Sequence, residues 1–318
     1  MSDPLVTVIV PIFNHAAYVL ETLGSVCAQT YQQLQIIVID DGSTDDGASL
    51  VTQNFGPRVQ LVAQPNGGPS AAVNAAFRVT EGEYIAFLGG DDVCEPQRIG
   101  HQLEVLRATS HDLVFAKPQM IDMAGDPLPD SEVPVLYVDQ KPGPEMYRRL
   151  FLLGNFLCGP SAMMRSRVLT ELGFFHEGLV GLQDFDYWLR ACGRGMSIGV
   201  DSERVVRYRR HPGNLSGTRS VSALSAETAY VLRRSLDDAL PRVVRAAFPH
   251  VLPPRVDVDA PLSMYEKSLL LLAHPYKEVQ AMGLGCAYDI AERGDLRDQG
   301  VGPDLKMFQF LLNTTRAT

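Results

Sequence analysis

Residues 35–43 read Gln-Ile-Ile-Val-Ile-Asp-Asp-Gly-Ser, an apolar run that ends abruptly in two aspartates and a turn. A similar run, Val-Thr-Val-Ile-Val at 6–10, comes before it and is stopped by Pro11. Neither run alternates strictly between apolar and polar residues, which is typical of strands buried on both faces of a parallel sheet. Between them, apolar residues recur at helical spacing over 16–29. The segment therefore predicts a strand, a helix and a second strand.

The alternation of strands and helices continues outward from this segment. We expect further strands at 58–63, 84–88 and 113–116, and helices at 46–54, 69–79 and 96–107. This repetition predicts an α/β fold with a mostly parallel central sheet flanked by helices.

The pattern changes after residue 120. Residues 124–144 contain five prolines and predict a long loop. Helices at 145–153 and 183–192 follow, with short strands near 160–164 and 204–208. From about residue 220 we expect only helices, at 223–240, 262–273, 278–293 and 303–313.

Composition excludes several classes of protein. With 318 residues, 46% of them hydrophobic, the chain can bury a large core, so disorder is excluded as its main state. A net charge of −9 argues against a nucleic-acid partner. No apolar run is long enough to cross a bilayer, and nothing at the N-terminus signals secretion. The five cysteines lack metal-ligand spacing, which favours reduced thiols in the cytoplasm.

Polar clusters follow three of the predicted strands: residues 11–14, residues 40–43 and Asp91-Asp92. In open α/β sheets, ligands bind beyond the carboxyl ends of the strands. The chain has neither a P-loop lysine pattern nor a G-x-G-x-x-G after the first strand, which argues against an ATPase and a nicotinamide dehydrogenase. Carboxylates at strand ends instead suit a divalent cation that bridges phosphates.

Six motifs occur in order: PIFN, AQTY, IIVIDDGSTDD, PNGGPSAAVNAA, GEYIAFL followed by two aspartates, and QDFDYWLR. Together they resemble glycosyltransferase family 2 over about residues 4–215. The resemblance implies a GT-A fold, which is Rossmann-like, and inverting transfer of a sugar from a nucleotide diphosphate donor to an acceptor hydroxyl. We expect a catalytic domain at 1–220, with a nucleotide-binding half at about 1–120 and an acceptor half at about 121–220, followed by an all-helical extension at 221–318.

The resemblance implies a nucleotide site built from three loops. Asp41 matches the aspartate that binds the nucleotide base, uracil in the best-known members, with Asp40 supporting the turn. Further binding residues implied by the resemblance are Pro11, Phe13, Asn14, Gly67, Gly68 and Asp91. The alternative for Asp41 is a turn stabilised by aspartate and serine side chains.

The resemblance also implies a metal cofactor, Mn²⁺ or Mg²⁺, held by Asp91 with Asp92 and His211. The alternatives are a helix-capping role for the aspartates and a surface role for the histidine. Two positions depart from the family pattern: Gly89 replaces an aspartate, and Val73 replaces a common arginine. Four basic residues could replace the lost charge or be spare surface charge: Arg204, Arg207, Arg209 and Arg210.

Asp184 matches the catalytic base that removes the proton of the acceptor hydroxyl. The alternative is a capping role, because Asp184 lies at a predicted helix start. Asp186 lies two residues further along, so it points away on a helix and cannot share the task. The family often has glutamate where this chain has Gln183. Tyr187 and Trp188 are expected to pack into the core.

The resemblance leaves several properties open. Trp188 is followed by Leu189-Arg190, so the Q-x-x-R-W motif of processive synthases is absent and a nonprocessive enzyme is favoured. The acceptor is a saccharide, a lipid-linked molecule or another hydroxyl compound, in bacterial polysaccharide or glycoconjugate synthesis. The C-terminal helices could form a homo-oligomer, dock at the inner face of the membrane or brace a cytoplasmic enzyme. The rivals are a catalytically silent nucleotide-sugar-binding protein and a sugar nucleotidyltransferase.

Overall fold

The computed structural model describes residues 3–132, 143–215 and 221–293. In these ranges the strands are β1 Val6–Ile12, β2 Leu34–Asp40, β3 Gln60–Ala63, β4 Tyr84–Phe87, β5 Val93–Cys94, β6 Leu113–Ala116, β7 Gln119–Ile121, β8 Met163–Arg165, β9 Ile198–Asp201 and β10 Val206–Arg209. The helices are α1 Val19–Cys27, α2 Gly47–Phe55, α3 Pro69–Phe77, α4 Arg98–Ala108, α5 Pro144–Leu153, α6 Ser166–Leu172, α7 Gln183–Gly193, α8 Val221–Asp238, α9 Pro241–Ala247, α10 Met264–Leu272 and α11 Lys277–Arg293.

The main sheet has the strand order β3-β2-β1-β4-β8-β6-β9. Its strands pair in parallel except for β8, which runs antiparallel to both β4 and β6. The predicted α/β class with a mostly parallel sheet flanked by helices, followed by C-terminal helices, is confirmed. The predicted domain boundary at residue 220 and the predicted helix at 303–313 lie outside the described residues.

The prediction that Pro11 stops the first strand is wrong. β1 continues to Ile12 and pairs with β2 as far as Asp40. On its other side, the pairing with β4 already ends at Ile9 opposite Phe87. A proline is tolerated in a strand where one side has no neighbour, because its missing N–H leaves no broken ladder bond.

A second, smaller sheet was not predicted as a unit. β10 lies at its centre, antiparallel to β5 and parallel to β7. β5 has two residues and β7 has three, too few to produce a periodic sequence pattern. β5 begins directly after Asp92, so this sheet brings the end of β10 beside the two aspartates. β9, α6 and α9 were also missed.

Apolar side chains from both faces of the main sheet build the core. Along β1, Ile9 packs into one cluster, while Val8 and Val10 pack into the cluster on the opposite face. Tyr187 and Trp188 are fully buried in the first cluster, as expected. Helices after residue 221 join the same cluster through apolar residues such as Leu232 and Leu271. Of the described helices, none is both long and apolar enough to cross a bilayer.

A buried ion pair stabilises the C-terminal helices. The Arg245 guanidinium donates to both carboxylate oxygens of Glu266, at 2.9 and 3.2 Å. Glu266 is fully buried, accepts a further bond from Arg255, and forms a capping box with Ser263 at the start of α10. These bonds offset the cost of removing two charges from water.

We expect Glu266→Ala to destabilise the protein by about 3–5 kcal/mol, because it leaves the Arg245 charge buried without its partner. The matched control is Asp259→Ala, which breaks the exposed Arg242–Asp259 pair (N–O distance 3.0 Å) and should cost about 0–1 kcal/mol. Urea denaturation followed by circular dichroism measures both. Equal losses for the two variants would contradict the importance of the buried pair.

Candidate active site

The loops after β1 and β2 are joined by hydrogen bonds. Asn14 has a left-handed backbone (φ 56°), and its side-chain oxygen accepts from the Thr44 amide at 2.8 Å. The Asn14 amide in turn donates to the Ser43 hydroxyl at 3.0 Å. Phe13, beside Asn14, is 44% exposed and is free to contact a ligand. The predicted residues of these two loops therefore lie together at the carboxyl edge of the sheet.

Asp41 holds a third loop in place. Its carboxylate accepts from the Gly67 and Gly68 amides at 2.9 and 2.8 Å, and from the Gln64 side chain at 2.7 Å. Gly68 has a φ of 85°, which a residue without Cβ adopts without strain. A carboxylate offers about four acceptor positions, so these three donors leave room for one more. Asp40 accepts from the Ser43 amide and supports the turn, as expected.

Asp91 and His211 are in direct contact. His211 Nε2 lies 2.8 Å from Asp91 Oδ2, and the Asn214 side chain donates to the same oxygen at 3.1 Å. The Gly213 amide donates to His211 Nδ1, so the ring proton belongs on Nε2 and is donated to Asp91. Tyr18 stacks on the His211 ring, with centroids 5.0 Å apart.

Asp92 is hydrogen-bonded to the small sheet. Its buried carboxylate accepts from the Arg209 amide at 2.9 Å. Burial and the neighbouring Asp91 charge hold the pKa of Asp92 well above its ordinary value. The Arg209 guanidinium is also buried; it binds the Asp91 carbonyl and the Glu21 carboxylate. Asp92 thus anchors β10, and its expected role beside Asp91 stays a prediction.

Two more of the basic residues near β10 form ion pairs with acidic side chains. Arg204 binds Asp130, and Arg207 binds Glu95 at 3.0 Å. Together with Arg209, they stabilise the fold around the small sheet.

The absence of an aspartate at position 89 has a steric cause. A Cβ on Gly89 would lie 2.5 Å from Asp92 Oδ2 and 2.7 Å from Asp91 Oδ1. Both carboxylates would have to shift to make room, and Asp92 is held in place by the bond from the Arg209 amide to its Oδ1. In this chain the two carboxylates occupy the space that a side chain at position 89 would need.

Asp184 lies in the first turn of α7. Its carboxylate accepts from the Asn155 side chain at 3.0 Å and from the Phe185 amide at 2.7 Å. Burial raises its pKa, whereas these two hydrogen bonds oppose the rise. Asp186 instead binds Arg190 and His176 in the core, which confirms that it points away. A carboxylate fixed in this way can accept a proton from a ligand in the cleft.

A cavity of about 170 Å³ connects the two ends of the site. It reaches from Pro11 and Gly89, on the side of the three loops, to Asp184 on α7. Ligand sites in enzymes are concave, mostly apolar and marked by a few placed polar groups. The lining of this cavity is likewise mostly apolar, with Gln183 and Asp184 as its polar side chains.

Two residues of the site were missed from the sequence. His15 Nδ1 is buried and lacks a hydrogen-bond partner among the described residues; its ring centroid lies 6.4 Å from that of His211. Burial lowers the pKa of His15. The sequence could have indicated His15 as a site residue, because it directly follows the PIFN motif. No local sequence pattern indicated Asn155, because the residue that it contacts, Asp184, lies 29 positions further along the chain.

The donor set at Asp91 fits a divalent cation that arrives with a phosphate. Mg²⁺ and Mn²⁺ take oxygen ligands and are commonly held by one or two carboxylates plus phosphate oxygens. Asp91 provides such a carboxylate near Gly89, which lines the cavity. Clusters of three or more metal-binding side chains are absent from the described ranges, so phosphate or water would supply most of the ligands.

The fold and site define an α/β protein with a ligand cleft at the carboxyl ends of parallel strands. The sequence model of glycosyl transferase family 2 matches residues 7–173, more than half of the chain. An uncharacterized glycosyltransferase of Rickettsia conorii is 31% identical over 225 residues, which cover 69% of this chain and 36% of that relative. The chain belongs to glycosyl transferase family 2.

Other comparisons agree with this assignment. Chondroitin synthase of Escherichia coli is 28% identical over 190 residues, covering 59% of this chain and 26% of the synthase. The chain therefore spans about a third or less of the length of these two relatives.

Solved structures share the fold at low identity. S. aureus TarS 1-349 in complex with UDP-GlcNAc has a TM-score of 0.61 and 18% identity, covering 91% of this chain and 92% of TarS 1-349. Mannosyltransferase PcManGT of Pyrobaculum calidifontis, in complex with GDP-Man and Mn²⁺, has a TM-score of 0.53 and 17% identity, covering 98% of this chain and 86% of PcManGT. The expected GT-A fold is confirmed.

We expect Gly89→Ala to destabilise the protein by about 1–3 kcal/mol, because the added Cβ overlaps two carboxylates. Gly89→Asp, which restores the residue common in the family, should cost more. Gly100→Ala is the control: it lies in α4 with open space around its Cβ and should be neutral or stabilising. Thermal unfolding measures all three. A Gly89→Asp protein as stable as the wild type would show that the steric account is wrong.

Proposed function

We propose that this protein is an inverting, metal-dependent, nonprocessive glycosyltransferase that uses a nucleotide diphosphate sugar, with UDP as the nucleotide. The observation that carries the proposal is the cavity that reaches from the strand-end residues Pro11 and Gly89 to the hydrogen-bonded carboxylate of Asp184. The match to a glycosyltransferase family supports the reaction class. The UDP-GlcNAc and GDP-Man complexes of the structural neighbours support a nucleotide-sugar donor.

The nucleotide end is assigned to the three joined loops. Asp41 has one acceptor position left for a base N–H, and the exposed ring of Phe13 can stack on the base. Pro11, Asn14 and the amides near Gly67 and Gly68 shape the loop surface beside it. Asp91 would hold Mn²⁺ or Mg²⁺, which supplies charge stabilisation to the leaving diphosphate.

His211 has a supporting role in this proposal. Its Nε2–H group donates to Asp91. The ring is held in place by Tyr18, which stacks on it, and by the Gly213 amide, which donates to Nδ1. In this arrangement His211 orients the Asp91 carboxylate. To bind a metal through Nε2, His211 would have to carry its ring proton on Nδ1 instead. Nδ1 could then no longer accept from the Gly213 amide.

Asp184 carries the chemical step. As the acceptor oxygen attacks the anomeric carbon, its proton passes to the Asp184 carboxylate. The bond from the anomeric carbon to the diphosphate oxygen breaks on the opposite face, and the electron pair leaves with the diphosphate. Attack and departure on opposite faces invert the anomeric centre. A catalytically silent binder would have no use for a carboxylate fixed by two hydrogen bonds at this position.

The acceptor and the cellular setting are proposals from family membership. We propose a saccharide or lipid-linked hydroxyl acceptor in bacterial polysaccharide or glycoconjugate synthesis, at the cytoplasmic side of the membrane. We also keep the division into a catalytic domain at 1–220 and a helical extension from 221. Packing of the described C-terminal helices against the main core supports a bracing role for that extension.

We expect Asp184→Asn to lower kcat by roughly 10²–10⁴-fold, because asparagine cannot accept the acceptor proton. The assay measures kcat as the release of nucleotide from a panel of UDP, GDP and dTDP sugars. Each donor is tested once with Mn²⁺ and once in excess chelator. Asp237→Asn, at a half-exposed pair with Lys267, is the control. Full kcat in Asp184→Asn would remove Asp184 as the base, and full activity in excess chelator would remove the metal from the proposal.

The fall of kcat at low pH (its acid limb) tests how the surroundings of Asp184 set its pKa. The base works when deprotonated, so activity falls as pH drops through its pKa, which burial has raised. Asn155 stabilises the charged form, so Asn155→Ala should raise that pKa and move the limb to higher pH. Asn54→Ala, on α2, is the control. A limb that stays in place or moves to lower pH would contradict the proposed contact.

A further inference from the structure

The segment that connects α6 to α7 leads directly to Asp184. Residues 173–182 contain no helix or strand, and α7 begins after them at Gln183. Leu182, the residue before α7, has an apolar side chain that cannot cap the helix. Because Asp184 is the second residue of α7, its position depends on how this segment is held.

The first part of the segment is bound to α3. The Phe175 amide donates to the Asn74 side-chain oxygen at 2.8 Å, and the Asn74 side-chain nitrogen donates to the Phe175 carbonyl at 3.0 Å. Further along, the Ser70 hydroxyl donates to the Leu179 carbonyl at 3.3 Å. Phe175 also lines the cavity. These bonds hold the segment as far as Leu179.

The last part of the segment is bound to α8 through Glu227. One carboxylate oxygen, Oε1, accepts from the Val180 amide at 2.7 Å and from the Gly181 amide at 3.3 Å. Hydrogen bonds to a charged acceptor are roughly twice as strong as bonds between neutral groups. A negative charge is also favourable near the N-terminus of a helix, and these two amides lie just before α7. Glu227 therefore holds the chain at the point where α7 starts.

Further contacts join α8 to the same part of the protein. Arg234 of α8 donates to His176 Nε2 in the segment, at 2.9 Å. At the other end of α7, the Gly193 carbonyl accepts from the Leu240 amide, just beyond α8, at 2.8 Å. The chain from α8 onward thus binds both the segment before α7 and the end of α7. Of these contacts, the one from Glu227 acts at the start of the helix.

We propose that Glu227 is a positioning residue for the reaction: it holds the segment before α7 so that the Asp184 carboxylate stays within reach of the acceptor hydroxyl. This inference rests on the proposed function, because it gives α8 a part in the reaction through Asp184. A small displacement of a catalytic group lowers the rate strongly. A helix that only covered the core would contribute to stability and leave kcat unchanged.

Glu227→Ala tests the proposal. We expect kcat to fall about 10- to 100-fold through misplacement of Asp184. The KM for the donor should change less than about twofold, because the nucleotide loops keep their contacts. Glu227→Gln keeps an oxygen acceptor and should retain kcat within about threefold. Asp237→Ala is the control: it removes the partner of Lys267 from the same helix and should leave kcat unchanged. Full kcat in Glu227→Ala, or equal losses in the alanine and glutamine variants, would overturn the proposal.

A double variant shows whether Glu227 acts through Asp184. In an Asp184→Asn background the base is already lost, so Glu227→Ala should change the residual kcat less than about twofold. A further loss of about tenfold in the double variant would overturn the proposal, because Glu227 would then act by another route.

Urea denaturation separates loss of position from loss of the fold. If Glu227→Ala does not fold, Glu227→Asp takes its place, because it keeps the charge and withdraws the acceptor by one methylene. The folded Glu227→Asp protein should lose kcat several-fold, and full kcat would overturn the proposal. Activity that Asp184→Asn abolishes and the Glu227 variants leave intact overturns this inference alone. A wild-type protein that releases nucleotide from no donor overturns the proposed function and this inference with it.

Discussion

The parallel pairing of β1 with β2 on one side and β4 on the other is the constraint on which the site depends. This register places Ile12 opposite Asp40 and ends β4 at Phe87, so the loops after all three strands emerge at one edge of the sheet. Full burial of these strands stabilises the register, because a slip by one residue would expose their apolar side chains. The polar loops are brought together as a consequence of core packing.

Hydrogen bonds between the loops then fix their shape. Asn14 joins the first loop to the second, and Asp41 joins the second to the loop at Gly67 and Gly68. At the third strand end, Asp92 and Arg209 tie the loop that carries Asp91 to the small sheet. Charges that look available in the sequence are therefore largely used within the protein. What stays open to a ligand is the exposed ring of Phe13 and the apolar cavity that Asp184 lines.

The sequence predicted those features that depend on periodicity or on a local motif. The buried strand at β2, the helix that carries Asp184 and the direction of Asp186 away from Asp184 all follow from short-range spacing. The small sheet could not be predicted, because β5 and β7 are too short to show a period. The anchoring role of Asp92 and the contact of Asn155 with Asp184 depend on residues 117 and 29 positions away, respectively. Such pairings arise from the tertiary fold and leave no mark in the local sequence.

The central proposal is that the loops at the carboxyl edge of the main sheet and the cavity lined by Asp184 together hold a nucleotide sugar in a single orientation. A crystal structure of the protein with a UDP sugar and Mn²⁺ tests it most directly. We expect the uracil beside Asp41 and Phe13, the diphosphate at Asp91, and the sugar in the cavity next to Asp184. A nucleotide bound away from the carboxyl edge of the main sheet, or a sugar pointing away from Asp184, would contradict it.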